Sequence, residues 1–125
     1  SYYACLVATY WFQKYSKIPA EAELASEFRY KSQIKLTSQL CVFISQSGET
    51  ADTLAALRHA KNHKMKILSI VNVVESSIAR ESNFVLPTAA GPEIGVASTK
   101  ALTAQLCVLS CLCIFISKKK KIISK

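Results

Sequence analysis

Hydrophobic and polar positions change their period several times along the chain. Over residues 1–16, Tyr3, Leu6, Val7, Tyr10 and Trp11 recur at helical spacing, and Ser1 stands where an N-cap would. Ile18-Pro19 closes this amphipathic helix, because proline disfavours helical backbone at the residue before it. A short strand over 20–23 and a helical turn over 25–29 are expected next. From Leu40 the pattern becomes regular. Leu40-Cys41-Val42-Phe43-Ile44 is a continuous apolar run of the kind that forms a strand buried on both faces.

Residues 51–63 read as a helix with Leu54 and Leu57 inward and Arg58, Lys61 and Asn62 toward solvent. A second buried strand over 67–71, a short helix over 76–81 and a third strand at Phe84-Val85-Leu86 follow. A loop holding Gly91, Pro92 and Gly95 leads into a long helix from Ser98. Strands alternating with helices predict an α/β fold, a parallel sheet flanked by helices.

Composition adds limits. Half of the 125 residues are hydrophobic and 19% are charged, enough for one domain with a real core. The net charge of +8 is unevenly spread: Lys118, Lys119, Lys120, Lys121 and Lys125 fall in the last eight positions, leaving eleven basic residues against eight acidic ones. A terminal lysine run reads as a solvated tail, not the basic stripe of a nucleic-acid binder. The domain is therefore assigned to 1–117 and a basic tail to 118–125.

Cys5, Cys41, Cys107, Cys111 and Cys113 contain no Cys-x-x-Cys pair. They read as buried, reduced thiols of a cytoplasmic protein, with Cys107 and Cys111 as small hydrophobes of the last helix. His59 and His63 lie on another segment and read as surface residues, so no metal site is assigned. Ser1-Tyr2-Tyr3 lacks the charged start of a secretory leader. The apolar run 101–117 is at the lower length limit for a membrane span and carries Thr103, Gln105 and Ser110; it is expected to be a core helix against a sheet.

Ligands of open parallel sheets bind at the carboxyl ends of strands. Ser45-Gln46-Ser47-Gly48-Glu49-Thr50 occupies such a place, between an apolar strand and a helix start. Hydroxyls, an amide and a glycine converge there on unpaired helix N–H groups, which favour an anion. The loop holds no lysine and matches no nucleotide P-loop, so a single phosphomonoester suits it better. Helix capping alone would explain the same hydroxyls. Ser98-Thr99 and Ser1 supply two more hydroxyl-bearing helix starts. Glu49 and Glu93 lie in loops where an acid or base could act, but neither has a visible partner. Glu49 is expected to face away from a phosphate or to form an ion pair. No catalytic residue is assigned, and binding is better supported than catalysis.

These loops resemble one family. Ser45 to Leu54, Ile78-Ala79-Arg80-Glu81-Ser82, Gly95-Val96-Ala97-Ser98-Thr99-Lys100 and Glu23 to Tyr30 look like the first sugar isomerase (SIS) domain of glutamine–fructose-6-phosphate aminotransferases. The resemblance runs from Ser1 to about Leu106 and implies a three-layer, flavodoxin-like α/β/α domain. It implies that Ser1, Ser45, Gln46, Ser47 and Thr50 hold a sugar 6-phosphate, and that Val96, Ala97 and Ser98 contact the sugar. It implies a role in making glucosamine 6-phosphate from fructose 6-phosphate and glutamine, with no cofactor. The implied partners are a second SIS domain or a second copy of the chain, and neither nucleic acid nor membrane.

The sequence departs from the family as well. Nothing matches the glutaminase domain, or the lysine, glutamate and histidine of the isomerisation. The first strand, expected before Ser1, has no counterpart. Glu75 stands where glycine is usual, and the match fades after Leu106. The chain alone is expected to be inactive, and a non-catalytic binding fragment or gene remnant is the alternative.

Overall fold

The computed structural model describes residues 1–30, 39–91 and 99–121. They form two compact units, Leu24–Gly91 and Ser1–Glu23 with Pro92–Lys125.

In the unit Leu24–Gly91, strands β1 (Leu40–Ser45), β2 (Lys66–Val71) and β3 (Phe84–Pro87) form a parallel sheet in the order β1-β2-β3. Ile44 lies opposite Ile70, and Ile70 opposite Leu86. Helices α2 (Ala25–Phe28), α3 (Ala51–Asn62) and α4 (Ser77–Arg80) belong to the same unit. Alternation along the strands sends Phe43, Ile67 and Val71 to one face, where they pack with Ala56, Leu57 and Ala60 of α3 and Ile78 and Ala79 of α4. Ala56 and Ala60, four apart, let α3 sit close to the strands, while Leu57 fills the space between at 0% exposure. Burying such a leucine stabilises the fold by about 1.5–3 kcal/mol. Phe28 of α2 meets Phe43 edge-on, with ring centroids 6.3 Å apart.

Leu68 and Ile70 on the opposite face are also buried, so β2 has the two-sided burial its apolar run predicts. β1 differs, because Leu40 is exposed and full burial is reached only from Phe43 onward. Among the described residues β1 pairs with β2 alone, which makes it an edge.

The other unit pairs α1 (Tyr2–Trp11) and a π-wound turn (Phe12–Ser16) with α5 (Thr99–Lys119). α5 buries every fourth residue: Ala101, Gln105, Leu109, Cys113 and Ser117. The seam is partly polar and internally satisfied. The Ser16 and Ser117 hydroxyls are 2.8 Å apart, Ser117 donates to the Tyr15 carbonyl, and the Cys113 thiol donates to the Trp11 carbonyl. Lys17 then turns left-handed at φ 56°, and the Ile18 amide closes back onto the Phe12 carbonyl at 3.1 Å.

Several expectations need correction here. Residues 20–23 are not a strand; they lie in a connection without regular structure, which Gln13 holds through a 2.8 Å bond to the Ala20 carbonyl. On α1 the buried residues are Ala4 and Ala8, whereas Tyr3 and Tyr10 are 75% and 74% exposed. Small residues permit the close approach to α5, and the tyrosines, which recur on another face of the helix, point away. On α5, Cys107 and Cys111 are exposed and Cys113 alone of the five thiols is buried. α5 is long and apolar enough to cross a membrane by length and composition. Its buried stripe lies against α1 and the π-wound turn, while Ile114 and Phe115 are exposed. The helix runs on through Lys118 and Lys119, whose charges favour its negative C-terminal end.

Candidate functional site

The candidate site starts where β1 ends. Ser45 is the last strand residue and nearly fully buried. Its Oγ accepts a bond from the Gly48 amide at 3.0 Å and lies 3.1 Å from the Thr50 Oγ1. The Ser47 Oγ accepts from the Glu49 amide at 3.1 Å. Thr50 is the extended N-cap of α3, and its carbonyl receives the Leu54 amide at 2.9 Å. The Thr50 side chain makes no capping bond to the first turn of α3. The first-turn N–H groups and the positive end of the helix dipole therefore face the loop that carries the three hydroxyls.

A neighbouring helix start clamps the loop. Gly48 has φ +73°, and a Cβ built on it would lie 1.9 Å from the Ser76 Oγ, so glycine is required on both conformational and steric grounds. The Gly48 carbonyl accepts from the Ile78 amide at 3.0 Å. The Glu49 carboxylate accepts from the Ser77 amide at 2.9 Å. Hydrogen bonding from Ser77, by its side chain and then its amide, with Arg80 nearby, holds the carboxyl below the usual carboxylate range. Glu49 is thus committed to the start of α4. Ser76 caps α4 through its own Oγ.

From the other side, Asn72 ties the loop to the end of β3. Its amide donates to the Gln46 carbonyl at 3.3 Å, and its Nδ2 donates to the Gly91 carbonyl at 2.7 Å. Its Oδ1 accepts from Thr88 Oγ1 at 3.1 Å and from the Ala90 amide at 2.8 Å. The Gln46 Oε1, by contrast, is buried with no partner among the described residues. An unsatisfied buried acceptor costs about 1–3 kcal/mol, which a ligand hydroxyl would offset.

The structure thus brings Ser45, Gln46, Ser47 and Thr50 together at one strand end. Ser1 belongs to the other unit, where its Oγ accepts from the buried Gln105 Nε2 at 3.1 Å. Val96, Ala97, Ser98 and Glu93 lie outside the described residues. Sequence reasoning missed Asn72, Ser76 and Gln105. Asn72 had a readable signal, as the first polar residue after the β2 run. Gln105 was a polar residue at core spacing on an apolar helix. Hydroxyls and backbone N–H groups with no lysine between them suit a small doubly charged anion such as a phosphomonoester.

Comparison with known proteins gives a consistent picture. A model of the SIS domain family matches residues 1–115. The isomerizing glutamine–fructose-6-phosphate aminotransferase of Zymomonas mobilis is 57% identical over 120 residues, covering 96% of this chain and 20% of its own length. The Bartonella quintana protein of the same name is 50% identical over 125 residues, covering 100% and 21%. The chain thus spans about a fifth of the curated relatives it matches. Among solved structures, the C-terminal domain of glucosamine-fructose-6-phosphate aminotransferase from Francisella tularensis superposes with a TM-score of 0.93 at 47% identity. That match covers 98% of this chain and 35% of the other.

Proposed function

The chain belongs to the SIS domain family, and from that premise we propose that it is a phosphosugar-binding domain of the isomerase part of a glutamine–fructose-6-phosphate aminotransferase. The observation that carries the reading is the loop 45–50, where three hydroxyls gather at a helix start that its own N-cap side chain, Thr50, leaves unbonded. The phosphate of fructose, glucose or glucosamine 6-phosphate sits against Ser45, Ser47, Thr50 and the first turn of α3. A sugar hydroxyl donates to the Gln46 Oε1. By family correspondence Ser1 joins the phosphate contacts, and Val96, Ala97 and Ser98 contact the sugar. The curated relatives are named for isomerizing amino transfer to fructose 6-phosphate. This chain contributes the phosphate grip to that reaction, in amino-sugar synthesis in the cytoplasm, beside a second SIS domain or a second copy.

Catalysis is assigned to none of its residues, in keeping with the engagement of Glu49 by α4. Thermal unfolding with and without millimolar fructose 6-phosphate tests the reading, with free fructose as the control. The sugar phosphate raises Tm, free fructose does not, and Ser45→Ala with Thr50→Ala abolishes the shift. Equal shifts with both sugars, or none with any of the three sugar phosphates, would overturn it.

A further inference from the structure

The C-terminal end of α3 carries a second polar feature, remote from the loop. His59 lies in the last turn of the helix and His63 is its C-cap. Residues four apart are neighbours on a helix surface. Here the two imidazole centroids are 4.4 Å apart with the rings tilted by 45°.

The His63 Nδ1 lies 2.9 Å from the His59 carbonyl, which can only accept, so this nitrogen carries the proton. The lone pair of His63 is thereby placed on Nε2, on an exposed side chain. The His59 Nε2 is buried with no partner among the described residues. Packing of His59 edge-on against Phe28, at 5.9 Å between centroids, explains why the ring is held but leaves that nitrogen unsatisfied.

We propose that His59 and His63 form a two-imidazole site for a divalent transition ion of the Cu²⁺, Ni²⁺, Zn²⁺ class. Neutral imidazole suits these ions, and the order of affinity puts Cu²⁺ first. Among the described residues no group of three or more His, Cys, Asp or Glu gathers, so water completes the coordination and binding is exchangeable. Lys61 and Lys64, close by in sequence, oppose the added charge and keep the affinity moderate. The exposed His63 ring turns aside to admit the ion to the enclosed His59 nitrogen, giving up its bond to the His59 carbonyl. The helix rise places His59 and His63 about 12–18 Å from the 45–50 loop, so ion and sugar phosphate bind independently.

Calorimetric titration of the 125-residue chain with Cu²⁺, Ni²⁺ and Zn²⁺ tests the proposal, after reduction and iodoacetamide treatment to block accessible thiols. One equivalent binds, most tightly for Cu²⁺, and the Cu²⁺ complex shows nitrogen couplings in its electron paramagnetic resonance spectrum. His63→Gln, which alters only an exposed side chain, keeps the metal-free Tm and weakens binding by about tenfold or more, the scale of loss seen when even supporting groups of metal sites are removed. His59→Gln weakens it likewise. A parent with no saturable binding, or a His63→Gln titration matching the parent's, overturns the proposal. Because the sugar-phosphate shift is measured without metal, either reading can fail alone.

Discussion

Replacing Gly48 with alanine tests how the binding loop is held. The new Cβ would lie 1.9 Å from the Ser76 Oγ and 2.3 Å from the Ser76 Cβ. Left-handed backbone costs a residue with a Cβ about 1–2 kcal/mol. Rotating Ser76 away would sacrifice the cap that its Oγ gives the Ala79 amide, worth about 1 kcal/mol. Rotation cannot move the Ser76 Cβ, so the backbone must also part, weakening the Gly48–Ile78 and Glu49–Ser77 bonds.

The total is about 2–4 kcal/mol, the range of severe single substitutions. Urea unfolding followed by circular dichroism measures it. A double-mutant cycle separates the terms: Gly48→Ala with Ser76→Gly removes the clash and retains the φ penalty, so coupling of about 1 kcal/mol or more is expected. A Gly48→Ala protein within 0.5 kcal/mol of the parent, a bound set by ordinary surface substitutions, would refute the reasoning. So would a cycle with no coupling.

Other predictions concern the frame around the loop. Asn72→Ala removes the partner of the Gly91 carbonyl, Thr88 and the Ala90 amide, and should cost about 2–3 kcal/mol in urea unfolding. Timed iodoacetamide labelling read by mass spectrometry should modify Cys107 and Cys111 first and Cys113 last. Cys5 should lag behind the exposed pair, because burial pushes its thiol pKa up. Arg58 binds Glu81 through two bonds of 3.0 and 2.8 Å, and the guanidinium holds the Glu81 carboxyl below its usual range. Since the folded form has the lower pKa, the bridge contributes fully above the ordinary glutamate value. That contribution is lost as pH falls through the depressed one. Arg58→Ala should remove this part of the acid sensitivity with only a small loss of stability near neutral pH, because Arg58 is exposed and water screens the pair.

Much of the sheet was legible because its signals are local. The apolar run into Ser45 and the hydroxyls before Ala51 mark a strand end and a helix start whatever lies around them. What escaped depends on tertiary choice. Tyr3, Val7 and Tyr10 share one helical spacing and Ala4 and Ala8 another. Which set turns inward is decided by how closely α5 approaches. α5 is apolar nearly all round, so its period could not reveal that Cys107 and Cys111 face out. Within the site, the hydroxyls were readable, whereas the clamp by Ser76, Ser77 and Asn72 joins residues more than twenty positions apart. His59 looked like a surface residue until Phe28 was placed beside it.

The most direct measurement of the central claim is an amide-resolved NMR titration of the chain with fructose 6-phosphate. Saturable shifts are predicted at Ser47, Gly48, Thr50 and the first turn of α3, with free fructose leaving them unmoved. Shifts centred elsewhere, or a loop that responds equally to both sugars, would contradict the account.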